Sequence, residues 1–297
     1  MHKFRYLSWN DKVFYIVNAL VLTIFFIMVL YPCIFVVSAS LSEGMYVNNG
    51  KVVLFPVGFT WENYSMALSM EVIWIGFFNS VKYAAIGAFI SVSMTMTVAY
   101  ALSRDNVPGN KVVMFLYLVT MFFSGGLIPT YLVIRSLDMV NTMWALVLPG
   151  AVTAYNMIVA RTFIRNSIPN ELLEASMMDG CSDIVYYVRI VLPLSKAIIA
   201  VNTLNAVVSQ WNSYMSPMIY LNDRNKMTLP IFLKEILLNS TIEVTEGMDY
   251  LEIAKMNERM ASMKYAIIVM TMVPILILYP FIQKYFVKGV MVGSVKG

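Results

Sequence analysis

Residues 13–37 read VFYIVNALVLTIFFIMVLYPCIFVV, without a single charged side chain. A helix needs about 20 apolar residues to cross the hydrocarbon core of a bilayer, so this stretch is long enough to span. The competing reading is a cleaved signal peptide. Such a leader has an apolar part of only about 7–15 residues, and here the chain stays hydrophobic afterwards. The run is therefore expected to be a retained first helix.

Five further stretches of similar character follow, at 83–102, 112–134, 139–160, 197–222 and 265–283. Residues 72–81 form an apolar lead-in to the second, with Lys82 expected to reach up to the interface. The expected fold class is an all-α polytopic membrane protein with six transmembrane helices in one domain, 1–297. Composition agrees. Of 297 residues, 59% are hydrophobic and 13% charged, whereas soluble domains carry about 25% charged residues.

The formal net charge is +4. The basic residues sit at the ends of apolar runs and form no patch interleaved with aromatics, which excludes nucleic acid as a partner. Lys3, Arg5, Lys12, Arg104, Lys111, Arg161, Arg165, Arg189, Lys196, Lys284, Lys288 and Lys296 fall on one side if the chain alternates. Short loops rich in Lys and Arg stay cytoplasmic, so both termini are expected in the cytoplasm. Residues 223–264 then form an external loop whose charges are nearly balanced.

The single histidine is His2, and the two cysteines, Cys33 and Cys181, are expected at different depths. These counts exclude a histidine metal cluster and histidine-based nucleophilic catalysis. No GxxxxGK[ST] phosphate loop occurs. No catalytic, metal or cofactor site is expected in this chain.

The connection 167–193 is not a plain loop. It begins SIPNELLEASMMDG and ends IVLP. Ser167 suits an N-cap with Pro169 in the first turn, Glu171 and Glu174 suit the positive end of a helix dipole, and Gly180 suits a helix stop. Ser182 and Asp183 can open a second short helix running to Ile190, and Leu192 and Pro193 lead into the fifth span. Leu172, Leu173, Ser176 and Met177 make one apolar face. Two readings stand open on pattern: an amphipathic helix lying on lipid, or a knob that docks into a partner's groove.

The segment resembles the cytoplasmic signature of binding-protein-dependent bacterial importer permeases, E-A-A-x-x-x-G, nine residues, then I-x-L-P. Here Glu174, Ala175, Ser176 and Gly180 are followed after nine residues by Ile190, Leu192 and Pro193, with Ser176 the one departure. The likeness extends through 121–131 (MFFSGGLIPTY), 141–150 (NTMWALVLPG), 211–214 (WNSY) and the tail 283–297. The chain is similar to the smaller permease of maltose-type ABC carbohydrate importers, within the LplC/YtcP-like branch.

The resemblance implies a type I ABC importer fold in the bacterial cytoplasmic membrane, with 167–193 as the coupling segment. Its implied partners are a second homologous permease in a heterodimer, two ATPase subunits, an extracytoplasmic sugar-binding protein and an oligosaccharide. ATP and Mg would be bound by the ATPase. Glu174, Ala175, Ser176, Met177 and Gly180 would contact that ATPase, with Glu174 as the anchor through a charge-assisted bond. The tail, with Lys288, Gly289, Gly293 and Lys296, would enter between the ATPases. The competing reading of the tail is a frayed terminus.

Polar side chains within a span normally face an interior or water. Asn202, Asn205, Ser209 and Asn212 recur at spacings that place them on one helical face. Gln210, Trp211 and Tyr214 lie beside it, and Tyr155 and Asn156 are expected to face the same cavity. Amides with aromatic faces suit a sugar. Hydrogen-bonded helix contacts are the competing reading for each residue. A stand-alone secondary transporter is the alternative function. Such proteins show twin halves and ionisable groups at mid-membrane, neither of which is evident here.

Overall fold

A computed structural model describes residues 8–238 and 250–293, with the side chains of 250–255 and 281–293 excepted. Among the described residues the protein is helical, and its one β-bridge joins Ser42 and Phe59. The helices are α1 (Trp9–Ser40), α2 (Gly44–Asn48), α3 (Glu62–Ser69), α4 (Glu71–Ser103), α5 (Asn110–Phe122), α6 (Leu127–Ser136), α7 (Trp144–Val147) and α8 (Ala154–Ser167). There follow α9 (Asn170–Met178), α10 (Asp183–Tyr186), a π-turn Tyr187–Val191, α11 (Leu192–Leu194), α12 (Lys196–Trp211), α13 (Met215–Tyr220), α14 (Leu229–Leu238) and α15 (Tyr250–Gly293).

Among the described residues, three helical stretches are long and apolar enough to cross a membrane: Trp9–Ser40, Glu71–Ser103 and Met256–Pro280. A fourth is counted if Asp183–Leu194 and Lys196–Trp211, bent by 80°, make one span. The remaining expected spans are interrupted, each at an identifiable break. Residues 123–126 separate α5 from α6, where Gly126 adopts φ 80°. The 139–160 stretch forms only the short α7 and the start of α8, because Pro149 and Gly150 lie between them. In 197–222 the helix stops at Trp211 and resumes at Met215. The lead-in 72–81 is no separate surface segment but part of α4. The expected external loop is itself helical at α14 and from Tyr250 onward, and its residues 239–249 lie outside the described residues.

The chain divides into two compact units. The first comprises residues 1–70 and 235–272. Its α1 leaves residues 13–33 exposed, as suits a helix whose solvent is lipid. Order comes from a polar knot at the C-terminal end of that helix. Buried Asn63 donates to the carbonyls of Ser40 and Ser42 at 3.0 and 2.9 Å and accepts from Ser262 Oγ at 2.7 Å. Gly44 lies against the backbone of Glu258 so closely that a Cβ would collide with it.

The second unit comprises residues 71–234 and 273–297. Here α4 packs chiefly on α12 and α8. Ala99 and Ala160 are fully buried in a cluster with Met96, Ile164, Ile198, Tyr186 and Val191. Small side chains let helix backbones approach where lipid removes the usual hydrophobic drive. A second cluster holds Tyr83, Ile134, Ala145, Leu146, Tyr220 and Leu221. Beside it Asn141, at φ 62°, accepts on Oδ1 from the amides of Asn222 and Asp223, each at 3.1 Å.

Candidate functional site

The signature segment folds as a short helix on a rigid mount. Pro169, rather than Ser167, precedes α9; Ser167 is still the last residue of α8. At its C-terminal end Gly180 takes φ 74°. Its amide donates to Met177 O at 3.0 Å, and the Cys181 amide donates to Ser176 O at 2.9 Å. This is the paired 5→2 and 6→1 closure of a Schellman turn. A Cβ at Gly180 would meet nothing within 4 Å, so the backbone conformation, not crowding, calls for glycine.

The two faces of α9 differ. Ser176 is buried, and its Oγ donates to Leu173 O at 2.7 Å. Leu173 packs on the core of the second unit. Glu174, Ala175, Met177 and Met178 are exposed, Met178 at 90%. Of the expected contact set, Ser176 faces inward, while Glu174, Ala175, Met177 and Gly180 are exposed. Leu172 and Met177, expected on the apolar face with Leu173 and Ser176, are exposed.

Past Gly180, Ser182 caps α10, accepting from the Val185 amide at 3.5 Å. The second short helix continues as the π-turn Tyr187–Val191, which ends two residues before Pro193. A proline ring clashes with the carbonyl four residues back in an α-helix, and the wider turn relieves that conflict. The 80° bend follows at Ser195, between α11 and α12.

Arg104 and Arg165, which entered the sequence reading only through orientation, help hold this mount. Arg104 Nη2 lies 3.4 Å from Asp183 Oδ1, and its guanidinium sits 5.6 and 5.8 Å from the rings of Tyr100 and Tyr186. The next residue, Asp105, pairs with Arg165 at 3.1 Å. Carbonyls at and just past the end of α4 are also capped. Arg161 Nε donates to Leu102 O at 2.7 Å, and Asn110 Nδ2 donates to Leu102 O and Arg104 O at 3.0 and 2.7 Å.

The expected polar face on α12 divides. Asn205 Nδ2 donates to Asn156 Oδ1 at 3.4 Å. Asn205, Ser209, Asn212, Tyr214 and Tyr155 are exposed, with Asn156 half-buried. Asn205, Ser209 and Asn212, spaced by four and three, make a polar strip along α12 that meets the start of α8 at Asn156. Three members lie apart from this strip, buried or half-buried in the helix packing. Asn202 is only 2% exposed, on a helix packed chiefly against α4. Trp211 is 4% exposed and meets Phe77 edge-to-face at 6.0 Å. Gln210 donates to Leu146 O at 3.1 Å and packs where Gly87 leaves room. Gln210 and Trp211 thus bridge helices, whereas the buried Nδ2 of Asn202 has no hydrogen-bond partner among the described residues.

Lys234 was missed. Its Nζ sits 4.9 Å from the centre of the Tyr214 ring, placing a cation at the end of the strip. No local pattern in α14 signals that approach. A different face of α12 meets α4 in an apolar groove of about 640 Å³, lined by Phe89, Val92, Met96, Ile199 and Val207 among others. Among the described residues no group of three or more His, Cys, Asp or Glu side chains converges. Of the expected tail contacts, Lys288, Gly289 and Gly293 fall on α15, where only the backbone is described, and Lys296 lies outside the described residues.

No family model matches the chain. It is 38% identical over 280 residues to the polygalacturonan/rhamnogalacturonan transport system permease protein YtcP of Bacillus subtilis (strain 168), covering 93% of this chain and 96% of that protein. It is 35% identical over 286 residues to protein LplC of the same organism, covering 96% of each. A chain in the crystal structure of a bacterial ABC transporter involved in the import of the acidic polysaccharide alginate superimposes with a TM-score of 0.86. That chain is 33% identical, and the match covers 95% of this chain and 99% of that one.

Proposed function

Because this chain belongs to the permease subunits of carbohydrate ABC transport systems, we propose that it forms half of an oligosaccharide pathway driven by a separate ATPase. Membership makes it a multi-pass membrane permease and not the catalytic subunit. The observation that carries the finer reading is the exposed tip of α9, with Glu174, Met177 and Met178 outward while Ser176 and Leu173 are anchored inward. A helix held on one face and bare on the other is built to be pushed. In this reading the ATPase grips Glu174 by a charge-assisted bond and moves α9. The membrane halves then alternate between inward-open and outward-open states.

The wider assembly follows the same reading: six crossings with both termini in the cytoplasm, a second homologous permease, two ATPase subunits that bind ATP and Mg, and an extracytoplasmic sugar-binding protein. The broken stretches 110–136, 144–167 and 183–220 would make up the crossings that no single straight helix supplies. The strip of Asn156, Asn205, Ser209, Asn212, Tyr155 and Tyr214 supplies the amides and aromatic faces that suit a sugar. The cation of Lys234 beside Tyr214 favours one that carries carboxylates. Relatives named for polygalacturonan and for the acidic polysaccharide alginate support that choice.

The test is purification of the tagged chain from its own host, followed by reconstitution. Co-purification of a second permease and an ATPase, with ATP-dependent uptake of an oligogalacturonide delivered by the binding protein, is the expected result. A chain that purifies without partners and transports along an ion gradient would establish the secondary-transporter alternative instead.

A further inference from the structure

The neighbours Arg104 and Asp105, directly after the last residue of α4, grip opposite ends of the signature segment. Asp105 reaches back to Arg165, in the last turn of α8 and just ahead of α9. Arg104 reaches forward to Asp183, the first residue of α10 and just past the Gly180 turn. The charges alternate, so each partner is attracted to one of the neighbouring residues and repelled by the other. Arg104 is the better anchored. Its side chain is 13% exposed, and it lies against both Tyr100 of α4 and Tyr186 of α10. An arginine stacked between rings and bound to a carboxylate has a fixed direction, which a lysine would not supply. Tyr100 also stacks on Tyr187 at 5.0 Å.

The end of α4 that carries these residues is itself tied down, through Arg161 and Asn110 on the Leu102 carbonyl. From there α4 runs along α12, where Gln210 fills the space beside Gly87. We infer that Arg104 and Asp105 are the positioning residues of coupling, a two-point charge-matched mount that makes α9 and α4 move as one body. This rests on the reading of α9 as the element the ATPase pushes. Without the mount α9 would pivot on its two flanking turns, and displacement of Glu174 would be lost before it reached α4 and the polar strip.

The experiment uses the assembled transporter with Arg104→Gln and Asp105→Asn combined. Two quantities are read: amide hydrogen exchange over residues 170–186, and solute imported per ATP hydrolysed. Exchange there should speed by about tenfold as local opening becomes easier, and solute per ATP should fall by about threefold, while ATP hydrolysis continues. Arg104→Lys should lie between parent and double variant. Asp105→Arg should damage the complex, and adding Arg165→Asp should restore it. Unchanged exchange, or a swapped pair that restores nothing, overturns the mount. Faster exchange with an unchanged ratio overturns its part in coupling. A parent complex that moves no solute with ATP defeats the proposed function instead, and the exchange measurement still decides whether the mount exists.

Discussion

At the scale of single residues, the sharpest expectation concerns Glu174. It is exposed on α9 and faces away from the core, so reversing its charge should leave folding alone. Glu174→Lys should insert normally and accept sugar from the binding protein, yet abolish ATP-driven uptake in vesicles. Normal uptake would remove this carboxylate from the mechanism. Lys234 is the second test. Loss of one charge-assisted bond is worth about 1.5 kcal/mol, or roughly tenfold, so Lys234→Gln should lower oligogalacturonide uptake by that factor. Lys234→Arg should keep most of it, and a methyl-esterified oligomer should not respond to either change. Equal losses for both sugars would deny Lys234 a part in recognising charge. The motif residues were legible because their spacing is local. Ser176 facing inward was not, because a small polar side chain next to an apolar one leaves the phase of a nine-residue helix ambiguous. Lys234 was invisible because Tyr214 lies in the turn between α12 and α13, away from α14 in the chain.

Among elements, the polar knot of the first unit makes a stability prediction. Asn63 joins the end of α1 to α3 and, through Ser262, to α15. Removing a buried partner and leaving others unmet costs about 1–3 kcal/mol. Asn63→Ala should therefore lower the thermal midpoint in detergent, and Ser262→Ala should lower it less, since Asn63 keeps its two carbonyls. No change in either variant would show the knot to be incidental. The helices themselves were only partly readable. Charge-free length marked α1 and the apolar part of α15. Length did not reveal that 112–134, 139–160 and 197–222 are broken, because apolar composition says where a segment sits and not whether its backbone is continuous. Glycine and proline at 125–126 and 149–150 were the local warning. The division of the α12 face has another cause. Asn202 and Asn205 are chemically alike, and only the position of α4 decides which of them is covered.

For the whole molecule, orientation is the claim to test. With Cys33→Ser, the remaining Cys181 should react with a membrane-impermeant maleimide in inside-out vesicles and stay unlabelled in intact cells. A cysteine placed at exposed Phe55 should do the reverse. Labelling of Cys181 from outside would invert the topology and separate α9 from any cytoplasmic ATPase. What the sequence by itself determined is the medium and the family: a charge-poor chain must live in lipid, and a motif of fixed spacing survives reading in one dimension. Tertiary structure alone decided which polar groups bond across helices, which stay exposed, and that Arg104 and Asp105 reach both flanks of α9. Those choices depend on residues some 60 to 79 positions apart in the chain being brought within hydrogen-bond distance, and no local pattern encodes such a meeting.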